Sequence, residues 1–225
     1  MAFSDARQPV SAAPRWRAAL AVLWLGLLPG CAGSLDFSST RLTLTSLDRA
    51  EAESELVLAD SQTQAIYRLD DKSTLTVLLI RGTAEAPLSV VELRMLWKAR
   101  AGLTPIDRTA TNTVVRFFDF RDTPEEPRSL GLYAGAGFMW LQDDPAGGQV
   151  GGTLWDSDVR LSDRSADFTD RLGRAVMTGS FSARRDDAGV TGAVLELNRL
   201  VSERLGYPRL VDLSVQPPLF SPTDL

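Results

Sequence analysis

The sequence predicts a mainly β domain, an antiparallel β-sandwich or half-open barrel with one C-terminal helix. Three observations point there. From Thr40 onward apolar residues recur mostly with a period of two. Clusters of Asp, Gly and Pro punctuate these runs at short intervals. Only one long stretch near the C-terminus switches to the period of a helix. Nine or ten short strands that do not alternate with helices disfavour a parallel doubly wound sheet.

The elements follow in chain order. Leu42 and Leu44 alternate with threonines in the first strand. Asp48 and Glu51 have capping-box spacing, which predicts a short helix over Asp48 to Glu55. Leu75, Val77 and Leu79 line one face of a strand whose other face carries Leu78 and Ile80, the pattern of burial on both sides. Val91, Leu93, Met95 and Trp97 alternate with Glu92, Arg94 and Lys98, broken only by Leu96, a strand with one solvated face. Val114 to Phe120 is aromatic and β-branched. Trp155, Val159 and Leu161 alternate with Asp156, Asp158 and Arg160; Ala175, Met177, Gly179, Phe181 and Ala183 form the next alternating set.

Val194, Leu197, Val201 and Leu205 fall within an arc of about 80° on a helix, predicting one over Gly192 to Leu205 with Gly206 as its C′ residue. A competing pattern makes Val190 to Leu197 the return strand of a hairpin. Leu210 to Val215 reads as a last strand and 216–225, with three prolines, as a loose tail.

Composition excludes much chemistry. The chain has no histidine and one cysteine, Cys31. Ser-His-Asp and Cys-His catalysis, His-ligated zinc and His-based pH switching are therefore unavailable. Lys72 and Lys98 are the only lysines, and neither has a serine at a spacing suited to Ser-Lys catalysis, since Ser73 adjoins Lys72 and strand neighbours point to opposite faces. From Cys31 onward 21 basic residues face 28 acidic ones, a net charge of −7. That argues against nucleic acid as a partner.

The N-terminal pattern is the most specific. Arg15 and Arg17 precede an apolar run of 11 residues, Ala18 to Leu28, which ends in Leu28-Pro29-Gly30-Cys31. A membrane-spanning helix needs about 20 apolar residues, so this run has the length of a signal-peptide core instead. The segment resembles the lipobox of bacterial lipoproteins. Leu28 and Gly30 match it, while Pro29 stands where Ala, Ser or Thr is usual. The resemblance implies that 1–30 is removed, that Cys31 carries lipid, and that Ala32, which is not the inner-membrane retention residue Asp, allows export to the outer membrane of a Gram-negative cell. The expected organisation is then a signal over 1–30, the lipidated cysteine and a short tether over 31–39, one β-rich domain over 40–215 and a tail over 216–225.

Candidate sites within the domain are few. Gly131, Tyr133, Gly135 and Gly137 lie in one run, GLYAGAGF, which reads either as backbone open to a ligand or as a strand whose glycines make room for a neighbour. Asp156 and Asp158 share a strand face, roughly 7 Å apart by strand rise, with Asp163, Asp167 and Asp170 nearby; their spacing fits no calcium loop. Asp143-Asp144 and Asp186-Asp187 read as turn residues. Trp97, Trp140 and Trp155 are expected in the core rather than on a sugar-stacking platform. No cofactor and no metal site is expected. The functional expectation is a membrane-anchored envelope protein with a non-catalytic domain that binds or scaffolds envelope proteins. A carrier of an apolar ligand such as lipid, and a carboxylate-dependent hydrolase, are the alternatives.

Overall fold

The computed structural model describes residues 40–48, 54–59, 63–71, 74–100, 110–125 and 128–209. Cys31, the expected last strand over 210–215 and the tail lie outside the described residues. Among the described residues nine strands precede one α-helix: β1 (Arg41–Ser46), β2 (Ser54–Ala59), β3 (Thr63–Asp71), β4 (Thr74–Gly82), β5 (Pro87–Met95), β6 (Thr113–Arg121), β7 (Ser129–Leu141), β8 (Gln149–Arg164), β9 (Arg174–Arg185) and α1 (Asp187–Leu205). The helix expected over Asp48 to Glu55 is corrected where it can be seen. Ser54 and Glu55 open β2, and its middle, 49–53, lies outside the described residues.

All nine strands form one mixed sheet in the order β2-β1-β9-β3-β4-β5-β6-β7-β8, and β8 also bonds β9. The strands from β3 to β9 therefore make a ring. One edge of β9 pairs along its length with β8. Its other edge is shared: β1 occupies Ala175 to Ser180, and β3 takes over at Arg184 and Arg185. That last contact is the one parallel pairing among the described residues and spans only two residue pairs, so the ring closes narrowly. The architecture is a partly open barrel with β1 and β2 peeling off beside β9.

Two apolar layers hold it. The inward positions of every strand from β3 to β9, joined by Leu42 and Leu44 of β1, fill the interior; Val77, Leu93, Phe117, Tyr133, Leu154 and Met177 are examples. On the outer wall Ile66, Leu78, Ile80, Val90, Phe118 and Leu132 meet Val190, Val194, Leu197 and Val201 of α1. This explains why β4 is apolar at consecutive positions: Val77 and Leu79 face the interior while Leu78 and Ile80 lie under the helix. An all-antiparallel strand with one wet face would alternate instead.

The helix begins five residues before the expected Gly192 and excludes the hairpin reading. Its opening is poor in helix formers, with Gly189, Val190, Thr191 and Gly192. Docking and capping compensate. The Asp186 carboxylate accepts from the Gly189 N–H at 2.8 Å. Four fully or nearly buried aliphatic side chains contribute roughly 1.5–3 kcal/mol each before entropy is counted. At the other end Gly206 adopts φ 83° and donates to Ser202 O, the C′ conformation expected of it. Arg204 fastens that end to the β6–β7 turn, donating to Ser129 O at 2.9 Å and Arg121 O at 3.3 Å.

Candidate functional site at the barrel rim

The barrel interior is occupied at both ends. At the upper end, where β1 begins, the β7–β8 turn folds Pro145 inward, and the buried Tyr67 hydroxyl donates to the Pro145 carbonyl. At the lower end the β8–β9 connection inserts Phe168 and Leu172. Tyr133, fully buried, points to that end and donates to the Asp170 carboxylate at 2.7 Å. Burial, and then the hydrogen bond to Asp170, push the Tyr133 hydroxyl far above its ordinary range. Burial alone would raise the Asp170 carboxyl as well. The Tyr133 hydroxyl and the Gly173 and Leu172 N–H groups outweigh it and hold Asp170 below the usual carboxylate range. This pair seals the barrel floor. A neutral phenol donating to an ionised carboxylate is a structural clasp.

The glycines of β7 face the interior beside Tyr133. A Cβ on Gly131 would stand 2.1 Å from the Phe168 ring, one on Gly135 would stand 1.8 Å from the Asp158 carbonyl oxygen, and one on Gly137 would stand 1.7 Å from Ser157 Oγ. Gly131 thus leaves room for the floor residue Phe168. Gly135 and Gly137 let β8 come close where it bulges, and the β7–β8 register shifts between Ala136 and Phe138. Gly135 also borders a shallow surface groove with Ala134, Asp158 and Arg174.

The acidic residues disperse. Asp156 and Asp158 are exposed, and Asp158 faces Arg174 at 3.5 Å. Asp163 accepts from Tyr207 and pairs with Arg209 at 3.3 Å. Among the described residues no three acidic groups come together to hold a cation. Asp144 and Asp186 accept from backbone N–H groups two and three residues on, and Asp143 from Gly151 N, all turn and cap roles. Lys72 and Ser73 lie outside the described residues.

The tryptophans depart most from expectation. Trp97 and Trp155 are not core residues: they are 37 % and 43 % exposed. Trp155 shares sequence parity with the interior residue Val159. A bulge between Leu154 and Ser157, with Asp156 at φ 37°, reverses that parity and turns Trp155 outward. Trp97 lies two residues beyond the end of β5 and is not a strand residue. Trp140 on β7 is half-buried.

The outcome is an aromatic cluster on the outer wall near the upper rim. Phe138 lies at its centre, stacked against Trp155 at 5.8 Å between centroids and edge-on to Trp97 at 6.2 Å. Leu96, next to Trp97, is 48 % exposed. Asn112 holds the cluster in place. Its amide Nδ2 donates to Met139 O at 2.9 Å and Trp97 O at 3.3 Å, and its Oδ1 accepts from Met139 N at 2.7 Å. The fully buried Asn112 thus ties the segment carrying Trp97 to the strand carrying Phe138. Sequence reading missed it, because a lone asparagine before a strand reads as a turn residue. Comparison of the chain with protein families, with characterised proteins and with solved structures finds no match.

Proposed function

We propose that this chain is a bacterial envelope lipoprotein, anchored through lipid on Cys31, whose barrel is a non-catalytic binding or scaffolding domain. The observation that carries the reading is the Leu28-Pro29-Gly30-Cys31 segment after an apolar run too short to span a bilayer. Among the described residues no helix is long and apolar enough to cross a membrane, so acyl chains on Cys31 would supply the anchor. Two or more chains are needed for stable attachment, each contributing about 0.8 kcal/mol per buried methylene.

Two features favour a scaffold over the alternatives. The interior that a carrier would leave free for an apolar ligand holds Tyr67, Phe117, Tyr133, Phe168 and their neighbours, with Pro145 and Leu172 at its ends. Of the candidate carboxylates for a hydrolase, Asp158 pairs with Arg174 while Asp144 and Asp186 accept from backbone N–H groups. Mass spectrometry of the protein extracted from its own membranes is the test. The expected species starts at Cys31 and carries acyl groups, and Cys31→Ser abolishes the acylation. A free thiol at Cys31, or a terminus elsewhere, overturns the reading.

A further inference from the structure

We propose that the Leu96–Trp97–Phe138–Trp155 cluster seats the barrel on the lipid bilayer, so that the domain lies against the membrane surface with its upper rim inward. The inference rests on the lipid-anchor reading. Its own support is the position of the cluster relative to the chain entry. Thr40 joins the barrel at Ser182, whose N–H it accepts at 3.2 Å, and Arg41 lies opposite Ser180. Ser180 in turn lies opposite Thr153, two residues before Trp155. Two inter-strand spacings and two residues of rise put Trp155 about 12 Å from Arg41 along the wall. From Cys31 to Thr40 the chain has nine steps and spans at most about 30 Å. A lipid on Cys31 therefore leaves this rim within reach of the headgroups.

The composition suits the interface. The seven large apolar residues most exposed among those described are mostly scattered, but Trp97 and Trp155 both pack on Phe138, and Leu96 precedes Trp97 in the chain. Tryptophan is enriched at the headgroup level, where its ring is apolar and its N–H is wet. A leucine beside the rings favours acyl chains over a sugar face. Asp156, exposed next to Trp155, sets the depth: its carboxylate stays in the headgroup water, so the rings enter the interface and not the hydrocarbon centre. Attachment of this kind needs no anionic lipid.

The protein purified from its own membranes in its processed form and reconstituted into phosphatidylcholine vesicles provides the test. Trp97, Trp140 and Trp155 are the only tryptophans after Cys31. With bromine on the acyl chains near the headgroup, most of the emission of Trp97 and Trp155 should be quenched. The conservative double variant W97F/W155F should remove the bromine-sensitive part and leave the melting temperature unchanged. Unquenched emission from a protein whose mass shows acylated Cys31 overturns the docked orientation and leaves the anchor standing. An unacylated Cys31 overturns the anchor and this orientation with it. Emission that ignores bromine but responds to soluble peptidoglycan fragments overturns it in favour of a sugar-stacking platform.

Discussion

Gly135→Ala separates a glycine needed for close strand approach from one that leaves room for a ligand. The new methyl would lie 1.8 Å from the Asp158 carbonyl oxygen and 2.9 Å from Val159 Cα, both backbone atoms. Relief requires β8 to withdraw by at least about 1 Å, since contacts below van der Waals distance cost steeply. β8 is not free to withdraw: Val159 is paired with Gly135 on one side and with Ala175 on the other. Overpacking costs about 1–3 kcal/mol, and each ladder hydrogen bond weakened by the retreat adds about 1 kcal/mol. The expected loss is about 3–5 kcal/mol. In a domain of this size each kcal/mol moves the melting temperature by about 2–4 °C, so a fall on the order of 10 °C is expected. Gly147→Ala is the control, because nothing lies within 4 Å of its added methyl; it should change stability by no more than about 0.5 kcal/mol. Thermal unfolding followed by circular dichroism reads both. A Gly135→Ala protein that melts within about 2 °C of the parent would refute the close-approach argument.

Three further outcomes are expected. Val201→Asp puts a charge at a fully buried position beneath α1 and should unfold the domain or cost more than about 3 kcal/mol in urea titration, whereas Leu195→Asp on the exposed face should be nearly silent. Tyr133→Phe should cost about 1.5–3 kcal/mol near neutral pH, because Asp170 loses a hydrogen bond to its ionised form. The Asp170 carboxyl is held below its unfolded value of about 4, so its stabilisation is present above that pH and fades as pH falls through the lower folded value. Removing the hydroxyl narrows that gap. Stability curves of Tyr133→Phe and parent should therefore converge in acid, and a constant difference from pH 7 to pH 3 would contradict the clasp. A chelator should leave the melting temperature of the purified protein unchanged; a large drop reversed by calcium would redirect attention to the acidic residues between Asp156 and Asp170.

Much of the architecture was legible because side-chain alternation is a local property of strands. Leu75 to Ile80 announced burial on both faces, Ala175 to Ala183 announced the inward row of β9, and Val194, Leu197, Val201 with Gly206 announced the helix and its end. The resemblance of Leu28-Pro29-Gly30-Cys31 to a lipobox was legible for a related reason: such a motif is read as linear sequence. What depended on tertiary structure was every relation across the chain. Closure of the ring rests on two residue pairs between β3 and β9, more than a hundred positions apart. Tyr133 meets Asp170 only because the β8–β9 connection folds back under the barrel. The outward turn of Trp155 came from a bulge, and a bulge costs one residue of register that no periodic pattern displays until the partner strand is in place. Composition alone excluded histidine and thiol chemistry from the domain. Packing alone decided that Gly135 and Gly137 make room for β8, that Gly131 makes room for Phe168, and that three aromatic rings gather at the rim.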